Sequence, residues 1–253
     1  MLRAEAMSEV AIPAATLVVW RDSGSGPEIL VVERSATMAF AAGAIVFPGG
    51  RVDLADRELA AALDRDVDAP KVTAIRETIE ETGVMPAVRG KADPALGLEL
   101  QASLHCAADF AELLKDHALE LDLDSLTPFA RWMPAFKQPR KFDTFFYVTA
   151  APAGNWIPHP QEGECMAAEW ASPAALLDRI ARSEASAIFP TKRNLERLAQ
   201  HDGFNALLAD ARSHSLETII PWIEDRDGEP HVRIPEGRGY PVIAEPLATA
   251  FRA

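Results

Sequence analysis

The chain has 253 residues, 48% hydrophobic and 25% charged, which fits a folded globular protein with room for one elaborated domain. A formal net charge of −13 excludes a broad nucleic-acid or membrane-surface footprint, because both need a basic face; an anionic small molecule stays admissible if a cation supplies local positive charge. Cys106 and Cys165 lie far apart without metal-ligand spacing, no run approaches the ~20 apolar residues of a membrane span, and MLRAEAMSEV lacks a leader's apolar core, so a cytoplasmic protein is expected.

Residues 1–9 read as a flexible N-terminus. Residues 14–20 are β-rich and apolar, the turn Asp22-Ser23-Gly24-Ser25-Gly26-Pro27 follows, and residues 28–34 form a second strand, which together predict a hairpin. A third short strand is expected over 44–47, stopped by Pro48-Gly49-Gly50. Residues 51–69 are charged and alanine-rich, as in short helical turns. A helix is predicted from Lys71 to Thr82, with Asp68 at the N-cap, Pro70 in the first turn and Gly83 just past the end. Further helices are expected over 107–118, 173–182, 191–200 and 203–212, and strands over 131–133, 142–148 and 165–170. The proline-rich stretch 218–246 reads as extended segments with turns. Strands and helices mix without regular alternation, which predicts an α/β protein of the α+β kind, with a mixed sheet flanked by helices. The expected organisation is one domain over 10–215 with inserted helical segments, and an extension over 216–253 packed on it.

The helix ending at Gly83 carries an unusual pattern. With Glu77 set at 0°, Glu80 falls near 300° and Glu81 near 40°, at about 100° per residue. Val72, Ile75 and Ile79 lie on the opposite side, at about 160–220°. One face therefore packs and the other gathers three carboxylates, which repel at these spacings and oppose the helix dipole near a C-terminus. A solvated acidic face is the plain reading. A site for a hard divalent cation, which takes oxygen ligands, is the other, with a backbone carbonyl of the Pro-Gly-Gly turn within reach.

Arg76-Glu77-Thr78-Ile79-Glu80-Glu81-Thr82-Gly83-Val84 resembles the second half of the Nudix box, R-E-U-x-E-E-x-G-U with U apolar, and Phe47-Pro48-Gly49-Gly50 resembles its glycine-rich start. Arg76 stands 26 positions after Gly50 where the pattern has 14, so 12 residues are inserted. The glutamate of the box start is replaced: counting forward from Gly50 reaches Asp56, and counting back from Arg76 reaches Asp68. An insertion at this place, Arg34-Ser35-Ala36 with Gly43 upstream, Phe129-Ala130-Arg131-Trp132, Pro139 to Phe146, and Glu162-Gly163-Glu164 are similar to the peroxisomal coenzyme A diphosphatase-like branch.

The resemblance implies a Nudix-type α/β/α sandwich and an Mg²⁺-dependent diphosphatase, with Mn²⁺ able to substitute. Glu77, Glu80 and Glu81 would bind the metal, joined by a carbonyl of Gly49 or Gly50, and Arg76 would hold a box carboxylate in place. Glu164 is the candidate base outside the box, ahead of Glu162. Arg34 and Arg140 are candidate phosphate contacts, Arg140 from the basic cluster Lys137, Arg140 and Lys141. Phe47, Gly49 and Gly50 are expected beside the substrate. The expected ligand is a nucleoside diphosphate derivative: coenzyme A or acyl-coenzyme A first, ADP-ribose or a dinucleotide second. A non-catalytic binding module of the same fold is the reading from another class. No nucleic acid or membrane partner is expected, and a homodimer is compatible with the sequence.

Overall fold

The structure is a computed structural model that describes residues 11–35, 41–134 and 141–250. Strand β1 (Ile12–Ser23) turns into β2 (Gly26–Arg34), followed by β3 (Ile45–Val46) and β4 (Gly49–Arg51). Helix α1 (Leu54–Ala62) and a 3-10 turn at Asp66–Asp68 lead into α2 (Ala69–Thr82). Next come β5 (Val88–Arg89), α3 (Pro94–His105), α4 (Phe110–Asp116), β6 (Glu120–Leu121), β7 (Thr127–Trp132), β8 (Phe142–Ala150) and β9 (Cys165–Ala171). Helices α5 (Pro173–Ala181), α6 (Phe189–Leu198) and α7 (Phe204–Ser213) precede β10 (Trp222–Arg226), β11 (Glu229–Arg233), β12 (Ala244–Pro246) and α8 (Leu247–Ala250).

Seven strands form one sheet with the path β3-β2-β1-β8-β7, β4 pairing with β1 and β9 with β2. Only the β1–β8 pairing is parallel, so the sheet is mixed. Both faces of the central strands are buried, which is why β1 reads as a nearly unbroken apolar run. Ala15, Leu17 and Val19 point into one core with α1 to α4, while Val18 and Trp20 point into a second core with α5 to α7. The result is three layers, helices on either side of the sheet.

Helix α2 begins and ends where the local chemistry demands. Asp68 stands at the N-cap, Pro70 occupies the first turn, and Gly83 adopts φ 68°, its N–H donating to the Ile79 carbonyl at 2.8 Å. Val72, Ile75 and Ile79 are fully buried against the sheet. The C-terminal segment and α3 differ from expectation. The segment 218–246, expected to be extended with turns, contains the three-stranded antiparallel sheet β10-β11-β12. Helix α3 was not anticipated, because Gly97 weakens its helical signal. That glycine is needed: a Cβ there would strike the Gly83 carbonyl, so α3 can cross the end of α2 only at a glycine.

Candidate active site

The Pro48-Gly49-Gly50 turn lies across β1, with the Leu17 N–H donating to the Pro48 carbonyl at 2.9 Å and Gly49 paired to Thr16. It then passes directly over α2. The Gly49 N–H donates to Glu81 Oε2 at 3.1 Å. A Cβ on Gly50 would collide with the Glu77 carboxylate, which would have to turn away from its present position. Phe47, just upstream, is 3% exposed and packs edge-on against Phe146 in the second core, where it anchors the turn from below.

Arg76 organises the carboxylates. Its Nε and Nη2 reach Asp56 at 2.8 and 3.0 Å, Nη2 also reaches Glu77 at 2.9 Å, and Nη1 reaches Glu80 at 3.0 Å. Asp56 is 2% exposed and further accepts from the Thr73 hydroxyl at 2.8 Å and the Asp53 N–H at 3.1 Å. Of the two aspartates that counting along the chain left open, Asp56 is therefore the one that fixes the arginine. Asp68 pairs instead with Arg65 and Lys71. The inserted residues are the rest of α1 and the 3-10 turn, which loop out and return the chain to α2.

None of the three glutamates is solvent-exposed: Glu77 and Glu80 are half-buried and Glu81 is 3% exposed. That removes the solvated acidic face as an account of the helix. Burial pushes the Glu77 carboxyl up to about 7, against the opposing charge of Arg76. Burial also raises Glu80, again opposed by Arg76. Glu81 is raised well above the usual range by burial and then by the neighbouring Glu77 charge, with the Gly49 N–H pulling the other way. One guanidinium serves Asp56, Glu77 and Glu80, and it leaves Glu81 without a direct cationic hydrogen bond among the contacts of the described residues.

A second segment closes over the end of α2. The His159 N–H donates to the Thr82 carbonyl at 2.9 Å and the Gln161 N–H to the Glu81 carbonyl at 3.1 Å, satisfying acceptors that a helix C-terminus leaves open. Gln101 of α3 donates to both the Glu80 and His159 carbonyls, at 3.2 and 2.8 Å. This strap leads to Glu164, whose carbonyl accepts from the Ser35 N–H at 2.7 Å. Glu164 is exposed, and its charge acts on both Glu80 and Glu81. Glu162 is exposed as well. Arg34, at the end of β2, acts on Glu81 and on the buried thiol of Cys165, which burial pushes up to about 12. Arg140 and Lys137 lie outside the described residues. Nothing in the sequence marks Gln161 except its place three residues before Glu164.

Whether these residues suit a divalent cation can be judged from the donors. The set is all oxygen, half-buried to buried, and short of positive charge, and Gly50 keeps the space beside Glu77 clear of a side chain. Among the described residues no three acidic, histidine or cysteine side chains already converge on one point, because Glu77 and Glu80 turn to Arg76 and Glu81 turns to the Gly49 N–H. The donor chemistry fits a hard cation, and a cation would relieve the repulsion that burial intensifies.

Comparison with known proteins gives a consistent picture. A family model described as NUDIX domain matches residues 11–191. The curated Uncharacterized Nudix hydrolase NudL of Citrobacter koseri is 31% identical over 112 residues, which are 43% of this chain and 56% of the relative. The chain thus spans about half the length of that relative. The crystal structure of a NUDIX hydrolase from Alicyclobacillus acidocaldarius superposes with a TM-score of 0.67 at 31% identity, covering 81% of this chain and 97% of that one. Among the described residues, no helix is long and apolar enough to cross a membrane.

Proposed function

Because the chain belongs to the NUDIX domain family, matched over residues 11–191, we propose that it is a Mg²⁺-dependent hydrolase of a diphosphate linkage in a nucleoside diphosphate derivative. The observation that carries this reading is the cluster of half-buried Glu77 and Glu80 with buried Glu81, under-compensated by Arg76 and covered by the glycine turn.

In this reading Glu77, Glu80 and Glu81 hold the cation, with the Gly49 backbone beside them. Mg²⁺ bound there supplies charge neutralisation at the phosphate oxygens and a more acidic water. Arg76, pinned by Asp56, holds Glu77 and Glu80 on the face that meets the diphosphate. Arg34 stands at the strand end beside Glu81, suited to a phosphate oxygen. Glu164 faces Glu80 and Glu81 from the strap and accepts the proton of the attacking water. The water oxygen bonds to one phosphorus, the bridging P–O bond breaks, and the second phosphate leaves with the bridging oxygen. Most of the protein's part is positioning and charge stabilisation.

For the substrate we favour coenzyme A or acyl-coenzyme A. The support is the inserted segment between Gly50 and Arg76, the Arg34-Ser35 segment upstream, and Glu162-Gly163-Glu164 ahead of Trp170. Organisation as a single catalytic domain over 10–215 with an extension from 216 belongs to the same proposal. Incubating the protein and Mg²⁺ with coenzyme A, ADP-ribose and NADH, with products read by mass spectrometry, tests it. The expected products are 3′,5′-ADP and 4′-phosphopantetheine. Intact coenzyme A beside cleaved ADP-ribose would overturn the substrate and keep the chemistry, and three intact compounds would favour a binding module.

A further inference from the structure

Helix α2 buries Thr73, Thr78 and Thr82 completely. The hydroxyls of Thr78 and Thr82 each donate to the carbonyl four residues back, that of Ala74 at 2.7 Å and that of Thr78 at 2.6 Å, which is how a helix satisfies a buried threonine by itself. Thr73 stands apart. Its hydroxyl lies 3.1 Å from the corresponding Ala69 carbonyl and 2.8 Å from Asp56 Oδ2. A hydroxyl has one hydrogen, so the two acceptors compete and the nearer carboxylate takes it. With Glu77 set at 0°, Thr73 falls at about 320°, between Glu80 and Glu77 on the face that gathers the carboxylates. The packing of α1 against α2 covers that position and brings Asp56 to it.

We infer, resting on the metal reading of the box given above, that Thr73 is a positioning residue: its hydroxyl fixes Asp56, Asp56 fixes Arg76, and Arg76 holds Glu77 and Glu80 for the cation. Every link is a short contact. Asp56 Oδ2 accepts from Thr73, from Arg76 Nη2 at 3.0 Å and from the Asp53 N–H at 3.1 Å, and Oδ1 accepts from Arg76 Nε at 2.8 Å. The guanidinium alone would let carboxylate and arginine swing together. The hydroxyl, one turn before Arg76 on the same helix, and the Asp53 N–H at the start of α1 tie Oδ2 to both helices at once. An aspartate is also one methylene shorter than the glutamate of the box pattern, so its partners must come to it, and Thr73 does. The choice of a hydroxyl has a physical logic. A second cation here would compete with the divalent ion for the carboxylates, whereas a neutral donor sets the direction of Asp56 and leaves the excess negative charge intact. Hydrogen bonds that orient a metal site from outside typically change affinity or activity by about 10–100-fold when removed.

Mn²⁺ affinity of the full chain, measured by calorimetric titration without substrate, tests this beside kcat/KM for the diphosphate substrate and the melting temperature without metal. Thr73→Val keeps the shape and removes the donor, and should weaken Mn²⁺ binding by about tenfold. Thr73→Cys, a far weaker donor of similar size, carries the same expectation and serves where valine disturbs folding. Thr73→Ser restores the hydroxyl and should keep most of the wild-type affinity. Thr78→Val removes an equally buried hydroxyl of the same helix that serves a backbone carbonyl, and should leave Mn²⁺ affinity unchanged. Wild-type affinity in Thr73→Val and Thr73→Cys would overturn the role of Thr73 and leave the metal reading standing. Equal losses in Thr73→Val and Thr78→Val would overturn it too, since any loosening of α2 would then suffice. A wild-type protein that takes up no Mn²⁺ would overturn the metal reading and the role of Thr73 with it.

Discussion

Helices α2 and α6 both carry buried charge, and they balance it differently. On α2, Arg76 faces Glu77, Glu80 and Asp56 of α1, so three carboxylates share one guanidinium, and Glu81 beside them has the Gly49 N–H and the charge of Arg34. On α6, across the sheet, Lys192, Arg193 and Arg197 meet Glu196, Asp210 and Glu245. Three cations face three anions there, Glu196 from α6 itself, Asp210 from α7 and Glu245 from β12. Tyr240 adds neutral bonds to Asn194 at 2.8 Å and to the Trp132 indole at 3.0 Å. The α6 group closes on itself and fastens the C-terminal segment to the second core. The α2 group is left with an excess of negative charge. Buried charge that is balanced holds a structure together, whereas buried charge left unbalanced needs something from outside.

The largest expected effect breaks the α2 side of the contrast. Replacing Glu80 and Glu81 together by Gln should lower turnover by about a thousand-fold or more, the equivalent of several kcal/mol of charge stabilisation at the phosphate. The same change removes repulsion, so the melting temperature without divalent cation should hold or rise. A double variant that turns over normally would sink the assignment of these glutamates. On α6 the expectation is inverted. Arg193→Met leaves Glu196 and Glu245 in a buried site with less compensation, and should cost about 3–5 kcal/mol in urea unfolding, with turnover per folded molecule little changed. Arg193→Met combined with Glu245→Leu should recover much of that loss. If Arg193→Met instead lowers turnover of fully folded protein, the two clusters are not separable as described.

Asp56 gives a finer test and shows what could be read from the sequence. Asp56→Asn should loosen Arg76 and reduce Mn²⁺ affinity or activity by about 10–100-fold, while Asp68→Asn should change either by less than about twofold. Equal effects would mean that Asp56 does not hold the arginine. The glutamates of α2 were legible because helical geometry and the box pattern agree over nine consecutive residues. Asp56 was not, because an insertion of unknown position lets two aspartates satisfy the spacing, and only the fold of α1 brings one of them to Arg76. The α6 cluster was hidden for another reason. Arg193, Glu196 and Arg197 sit at i, i+3 and i+4, which reads as the solvated face of a surface helix. Burial arrives from Tyr240 and Glu245, about fifty residues onward, and no local pattern announces it. A mixed sheet flanked by helices was readable from the strand and helix patterns and the three-layer sandwich from the family resemblance, whereas α3 was not, because Gly97 masks the helix.

The smallest expected effect concerns Glu196, the member of the balanced cluster whose compensation is least complete. Burial pushes its carboxyl up to about 7, against the opposing charges of Arg193 and Lys192, and its Oε2 is buried without a hydrogen-bond partner. The folded pKa lies above the ordinary value of 4.5, so between those values the folded state holds more proton than the unfolded chain. The stabilisation that follows is complete below about pH 4.5 and is lost as pH rises through about 7. Unfolding midpoints in urea should therefore fall between pH 5 and 7.5, measured in saturating Mg²⁺ so that the α2 carboxylates stay ionised and contribute little slope. Glu196→Gln should flatten this dependence, since the amide keeps the shape and cannot titrate. A slope unchanged in Glu196→Gln would place the titrating group elsewhere, and the balance drawn for α6 would then be complete without a proton.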